Sequence, residues 1–143
     1  MKNLLLILLL FIGFLVQAQT DSVQVVQPME KDDLVGDKIY EKAEQMPEFP
    51  GGEEAMLKFI SQNLQYPENA IVNEVEGVVL IKFVVNAKGA IRNIEVISKV
   101  RHGFGLEEEA QRVIRKMPLW SPGKSKGKPV SVLFILPISF RIN

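Results

Sequence analysis

The chain predicts a small α+β domain with elements in the order α-β-β-α-β: a three-stranded antiparallel sheet with two helices packed on one of its faces. Three observations carry this. Residues 53–64 and 106–117 repeat apolar side chains at spacings of three and four, the period of an amphipathic helix. Residues 77–85, 91–97 and 129–142 alternate at period two, as strands do. The first two of these strands are separated only by Asn86-Ala87-Lys88-Gly89, which has the composition of a tight hairpin turn.

Residues 1–18 have the layout of a secretory signal peptide. Lys2 supplies the early positive charge, residues 4–16 carry no polar side chain, and Val16-Gln17-Ala18 suits a cleavage site before Gln19. The apolar run falls short of the ~20 residues that a membrane-crossing helix needs. Cleavage is therefore the first expectation, and an uncleaved anchor through residues 4–16 the alternative. Either way the rest of the chain is expected outside the cytoplasm. Residues 19–45 read as a flexible linker, with Gln24, Gln27, Glu30, Lys31, Asp32 and Asp33 and no sustained apolar period. The folded domain is expected over 46–143.

That domain opens on a turn-rich stretch, Pro47-Glu48-Phe49-Pro50-Gly51-Gly52. In the first helix, Met56, Leu57, Ile60 and Leu64 form the apolar face, and Glu53 and Glu54 suit the positive end of the helix dipole. Tyr66-Pro67 stops it. On the first strand Val79, Ile81, Phe83 and Val85 form one unbroken apolar face, and on the second Ile94 and Val96 do so. The second helix carries Leu106, Ala110, Val113, Ile114 and Met117 as its buried stripe, with Glu108 and Arg112 as a favourable pair one turn apart. Residues 120–128 read as a loop. In the last strand every even position from Val130 to Ile142 is apolar, so that face meets the core. Pro137 cannot donate to a ladder, which places this strand at a sheet edge. A long apolar edge is a hazard unless it is covered or used for docking.

Composition narrows function. The 143 residues suffice for one domain with a modest core. Lys plus Arg and Asp plus Glu are both 17, and zero net charge argues against nucleic acid as a partner. With Cys 0 and His 1, disulfides, thiolate metal sites, a cysteine nucleophile and histidine clusters are excluded. Glu107, Glu108 and Glu109 are explained by helix-start electrostatics, and Lys124, Lys126 and Lys128 by a solvated loop. Trp120 reads as a core or loop anchor, and His102 has no partner in any catalytic pattern. The expectation is a protein that is no enzyme and holds no cofactor or metal.

Several motifs in order resemble the C-terminal domain of TonB-type energy transducers, in the short form found in Bacteroidota. They are the Pro47–Gly52 stretch, Tyr66-Pro67 followed by Ala70, the strand Glu76-Gly77-Val78-Val79-Leu80-Ile81-Lys82-Phe83-Val84-Val85, the hairpin Gly89, and Met117-Pro118-Leu119-Trp120-Ser121-Pro122-Gly123. The resemblance implies a periplasmic module that binds the TonB-box peptide of outer-membrane receptors by β-augmentation, supporting energised transport. By position it implies receptor contact at Asn63, Leu64, Gln65, Tyr66 and Pro67. Combined with the edge-strand reading, it places the added peptide along Val130, Ser131, Leu133 and Ile135. An ExbB/ExbD-type inner-membrane motor is implied if the chain stays anchored. Residues 4–16 hold no histidine, however, and residues 20–46 hold only Pro28, whereas the family's transducers carry a functional histidine and a long Pro-rich spacer. The alternatives are a soluble periplasmic adaptor, or an envelope structural protein that pairs with itself as a homodimer through the same edge.

Overall fold

The computed structural model describes residues 37–143. The expected signal segment, and residues 19–36 of the expected linker, lie outside the described residues. In chain order the elements are β1 (Ile39–Tyr40), α1 (Gly52–Asn63), α2 (Glu68–Val72), β2 (Gly77–Val85), β3 (Ile91–Ser98), α3 (Leu106–Arg115), β4 (Gly123–Ser125) and β5 (Lys128–Phe140). The sheet has the order β1-β5-β2-β3, and β4 also pairs with β5.

The antiparallel pairing of β2 with β5 forms its centre. The register sets Val79 opposite Ile138, Ile81 opposite Leu136, Phe83 opposite Phe134 and Val85 opposite Val132. The apolar alternations of two distant segments thereby fall on one face. A shift of one residue would send both sets to solvent. Onto this face pack Leu106, Ala110 and Ile114 of α3, Met56 of α1 and Ala70 of α2, with Phe49 and Trp120 closing one end. Burying each large side chain here contributes roughly 1.5–3 kcal/mol. Trp120 stands edge-on to Phe49, Phe83 and Phe134, with ring centroids 5.1–5.8 Å apart.

The α+β class and the single helix-bearing face are as expected. The element count is not: among the described residues the sheet has five strands and there are three helices. The missed pieces are β1, α2 and β4, each too short to show a period. Ile39 and Tyr40, expected in the linker, run parallel to Ser131 and Val132. The expected loop over 120–128 contains a β-hairpin, with Gly123, Lys124 and Ser125 opposite Val130, Pro129 and Lys128. Its two-residue turn, Lys126-Gly127, has positive φ at both positions (51° and 73°), the geometry of the twist-matched hairpin turn. The last strand is consequently flanked on both sides at Val132, between Tyr40 and Val85, and its outer side is covered by β1 at Ser131 and Val132. Two local readings also change. Leu57 is 57% exposed, and Phe59 joins Met56 and Ile60 on the packed face of α1. Arg112 pairs with Glu109, not Glu108.

The tip of the β2–β3 hairpin is tied to the chain around Trp120. The Trp120 N–H donates to Gly89 O at 2.8 Å. Gly89 has φ +86°, and a Cβ there would stand 1.9 Å from Trp120 O. Gly89→Ala should therefore cost at least about 2 kcal/mol, while Lys88→Ala on the exposed side of the turn should change stability by less than about 0.5 kcal/mol. Urea unfolding followed by the fluorescence of Trp120, the sole tryptophan, separates the two. In the same assay Val132→Asp should abolish the transition, because Val132 is fully buried and a charge there has no partner. A folded Val132→Asp protein would refute the face assignment.

Candidate functional site

Two surfaces hold the residues singled out from the sequence: the side of β5 away from β2, and the turn between α1 and α2. On β5, the orientation of the backbone follows from proline. Pro137 stands opposite Leu80 in the ladder with β2. Having no N–H, it can occupy only a non-hydrogen-bonded pair, whose backbone groups point away from the partner strand. The register runs without a shift from Val132 to Phe140, so Ser131, Leu133, Ile135 and Ser139 share its outward orientation. Pro129, eight positions earlier, stands opposite Lys124 under the same restriction.

β1 covers the head of this outward side at Ser131 and Val132. Past it, no described strand pairs with the outer side of β5. An open groove of about 690 Å³ runs along the strand here. Its lining comprises Leu133, Phe134 and Ile135 on one wall, and Glu41, Lys42, Ala43 and Met46 on the other. Residues 133–140 contain no charged side chain, and Ile135 is 49% exposed. Of the four β5 positions expected to bind a peptide, Leu133 and Ile135 line this groove. Val130 is paired with Gly123, and Ser131 with Ile39. The second wall could not be foreseen, since residues 41–46 show no pattern of their own.

The other sheet edge is built differently. Among the described strands β3 pairs only with β2, and two register shifts interrupt that ladder. Asn93 sits at φ 52° in one of them. Such bulges, with Arg92, Glu95 and Lys99 along the strand and just beyond it, blunt an edge against further pairing. Between Val132 and Pro137, β5 carries neither a register shift nor a charge.

Asn63, Leu64, Gln65, Tyr66 and Pro67 form the turn from α1 into α2. A clamp from α3 fixes it. Arg112 grips Glu109 through both carboxylate oxygens, at 2.7 and 2.6 Å, and donates to Asn63 O at 2.7 Å. Glu109 in turn accepts the Gln65 N–H at 2.7 Å. Burial pushes the Glu109 carboxyl up, but hydrogen bonds from Arg112 and Gln65 and the positive charges of Arg112 and Lys116 outweigh it and hold the pKa below the ordinary value. Tyr66 packs edge-on to Phe140 with centroids 5.6 Å apart, and its hydroxyl donates to Val75 O at 2.5 Å. Burial, reinforced by Glu76 and opposed by Arg141, raises its pKa. Tyr66 is thus half structural anchor and half surface. Sequence reading missed the clamp, because Glu109 and Arg112 lie more than forty positions from the turn they hold.

Other candidates sort simply. Trp120 is 3% exposed and serves the core. His102 is exposed in the turn before α3. Glu107 accepts the Val100 N–H at 3.0 Å, which ties the end of β3 to α3. Among the described residues no group of three or more His, Cys, Asp or Glu side chains is placed to hold a metal ion, and no helix is long and apolar enough to cross a membrane.

The chain matches the family described as Gram-negative bacterial TonB protein C-terminal over residues 62–142. Two solution structures of the TonB C-terminal domain of Helicobacter pylori are similar to it. The longer is 23% identical, with 66% of this chain and 87% of that chain covered at a TM-score of 0.44. The shorter is 22% identical, with 62% and 90% covered at 0.41. No curated protein matches.

The clamp makes a pH-dependent prediction. A carboxylate with a depressed folded pKa stabilises above its unfolded value of about 4.3 and loses that contribution as pH falls through the folded value. The Gln65 amide should therefore stay protected from hydrogen exchange through the ordinary carboxylate range and open only as pH falls through the lowered folded value. In Glu109→Gln the acid dependence should disappear, and in Arg112→Ala protection should already be reduced at neutral pH. An acid profile for Gln65 that is the same in wild type and Glu109→Gln would disprove the clamp.

Proposed function

The chain belongs to the family of Gram-negative bacterial TonB protein C-terminal domains, and from that membership we propose that it is a periplasmic docking module for the TonB-box peptide of outer-membrane receptors. The peptide adds as a strand to the outer side of β5, and the docked complex supports energised transport across the outer membrane. The turn formed by Asn63, Leu64, Gln65, Tyr66 and Pro67 is the second receptor contact. No catalysis, cofactor or metal takes part.

The observation that carries this reading is the outer edge of β5 past Val132: unpaired among the described strands, uncharged, and facing a groove whose β5 wall is the apolar run Leu133, Phe134 and Ile135. Main-chain hydrogen bonds along such an edge supply affinity, and the side chains of Leu133 and Ile135 supply register. The blunted edge of β3 leaves β5 as the side of the sheet suited to addition.

The test is fluorescence anisotropy with labelled synthetic TonB-box peptides taken from outer-membrane receptors of the source cell. Ile135→Pro removes an outward N–H while sparing the ladder with β2, as Pro137 does two positions on. One main-chain hydrogen bond contributes about 0.5–1.5 kcal/mol, so affinity should fall about 3- to 10-fold. Leu133→Lys, which sets a charge in the groove wall, should weaken binding similarly. Both variants should keep the wild-type urea transition within about 1 kcal/mol. Unchanged affinity in both would remove β5 as the docking edge.

A further inference from the structure

We propose that residues 38–44 form a displaceable strap, and that β1 occupies the head of the docking edge until an incoming extended peptide replaces it. The inference rests on the docking reading and adds to it a built-in competitor.

The backbone of β5 shows why a peptide and β1 compete. Between Pro129 and Pro137 the outward N–H groups belong to Ser131, Leu133 and Ile135. β1 runs parallel beside Ser131 and Val132. Ladder bonds in a parallel pair slant to the neighbours of the aligned residues, so this pairing engages Ser131 and borders on Leu133. Ile135 is left as the one outward donor ahead of Pro137 that lies clear of β1. A single main-chain donor is a poor template for strand addition. A peptide that takes the full run between the prolines has to use the positions β1 holds.

The strap is attached in a way that permits this. Its β1 pairing is two residues long, and Ile39 is 40% exposed. The chain then bends over 41–44, where it makes no strand pairing with β5. Firm attachment begins at Gln45, whose N–H and C=O bond reciprocally with Lys124 at 3.1 and 2.8 Å, and continues at Glu48, which does the same with Ser121 at 3.0 and 2.9 Å. Pro47 and Phe49 are buried just beyond. A loose end thus hinges on a fixed point. The same strap supplies Glu41, Lys42 and Ala43 to the groove wall, so its movement widens the site that it partly fills.

The absence of cysteine makes a clean lock possible. In the full chain, Ile39→Cys combined with Ser131→Cys joins two residues that are Cα partners, and the cross-link is then the sole disulfide. The probe is the labelled TonB-box peptide of the preceding section. The oxidised form should bind it at least about tenfold more weakly than the reduced form. Tyr40→Pro, which removes a ladder donor from β1, should bind about threefold or more tightly than wild type, as expected when a competing bound state is depopulated. Equal binding in the oxidised and reduced forms, with Ile135→Pro still weakening the wild type, would overturn the strap and leave the docking edge standing. No binding by wild type, reduced double variant or Tyr40→Pro would overturn the docking reading, and the strap with it.

Discussion

Pairing of β2 with β5 is the interaction on which the rest of the molecule depends. It joins two segments some fifty residues apart in sequence, and its register aligns their apolar alternations on the face that meets the helices. Once that register holds, α3 has a surface for Leu106, Ala110 and Ile114, and Trp120 closes the end near the hairpin tip. The same pairing turns alternate backbone groups of β5 outward. Stability and the proposed docking therefore use alternate positions of one strand: even positions fill the core, and odd positions turn their main-chain groups outward.

A sheet of this kind has two edges and handles them differently. β3 is kinked by its register shifts and flanked by charge, so a second chain finds no straight ladder to join. β5 keeps an unbroken register with β2 and is uncharged over 133–140, and β1 caps it at Ser131 and Val132. Proline sets limits at Pro129 and Pro137 without disturbing the inner ladder. An exposed apolar edge carries an aggregation risk. A short intramolecular strand that covers part of it lowers that risk at little energetic cost, because so few residues are ordered by it.

The long elements were legible in the sequence because their periods are strong. The alternation from Val130 to Phe140 and the stripe on α3 give strand, helix and buried face directly, and Pro137 marks an open edge from composition alone. What escaped reading had either too few residues or too great a separation. Ile39 and Tyr40 form a strand only because Ser131 and Val132 offer a partner, and no local pattern announces it. Residues 68–72 form one helical turn and a little more, too short for a period. Leu57 fits the helical spacing as well as Phe59 does; the choice between them depends on where α1 meets the sheet. Glu109 read as a helix-start charge, and it is one, yet its carboxylate also holds the Gln65 backbone.

The two candidate contact surfaces are supported in contrasting ways, and the contrast fits their roles. Between α1 and α2 the chain is pinned by charge-assisted hydrogen bonds from Arg112 and Glu109 and by the packing of Tyr66 on Phe140. A surface fixed in this way loses little conformational entropy when a partner arrives, so more of the contact free energy appears as affinity. Along β5 the proposed docking is the opposite case, because a peptide that takes the full run between the prolines would first require β1 to leave. The energy of that step would lower the apparent affinity of every peptide and would most strongly penalise those that match the edge poorly. In the proposed scheme a rigid first contact beside a gated second one would let a receptor be held before its peptide is admitted. Specificity would then depend on how well a peptide replaces Ile39 and Tyr40 against Ser131 and Val132.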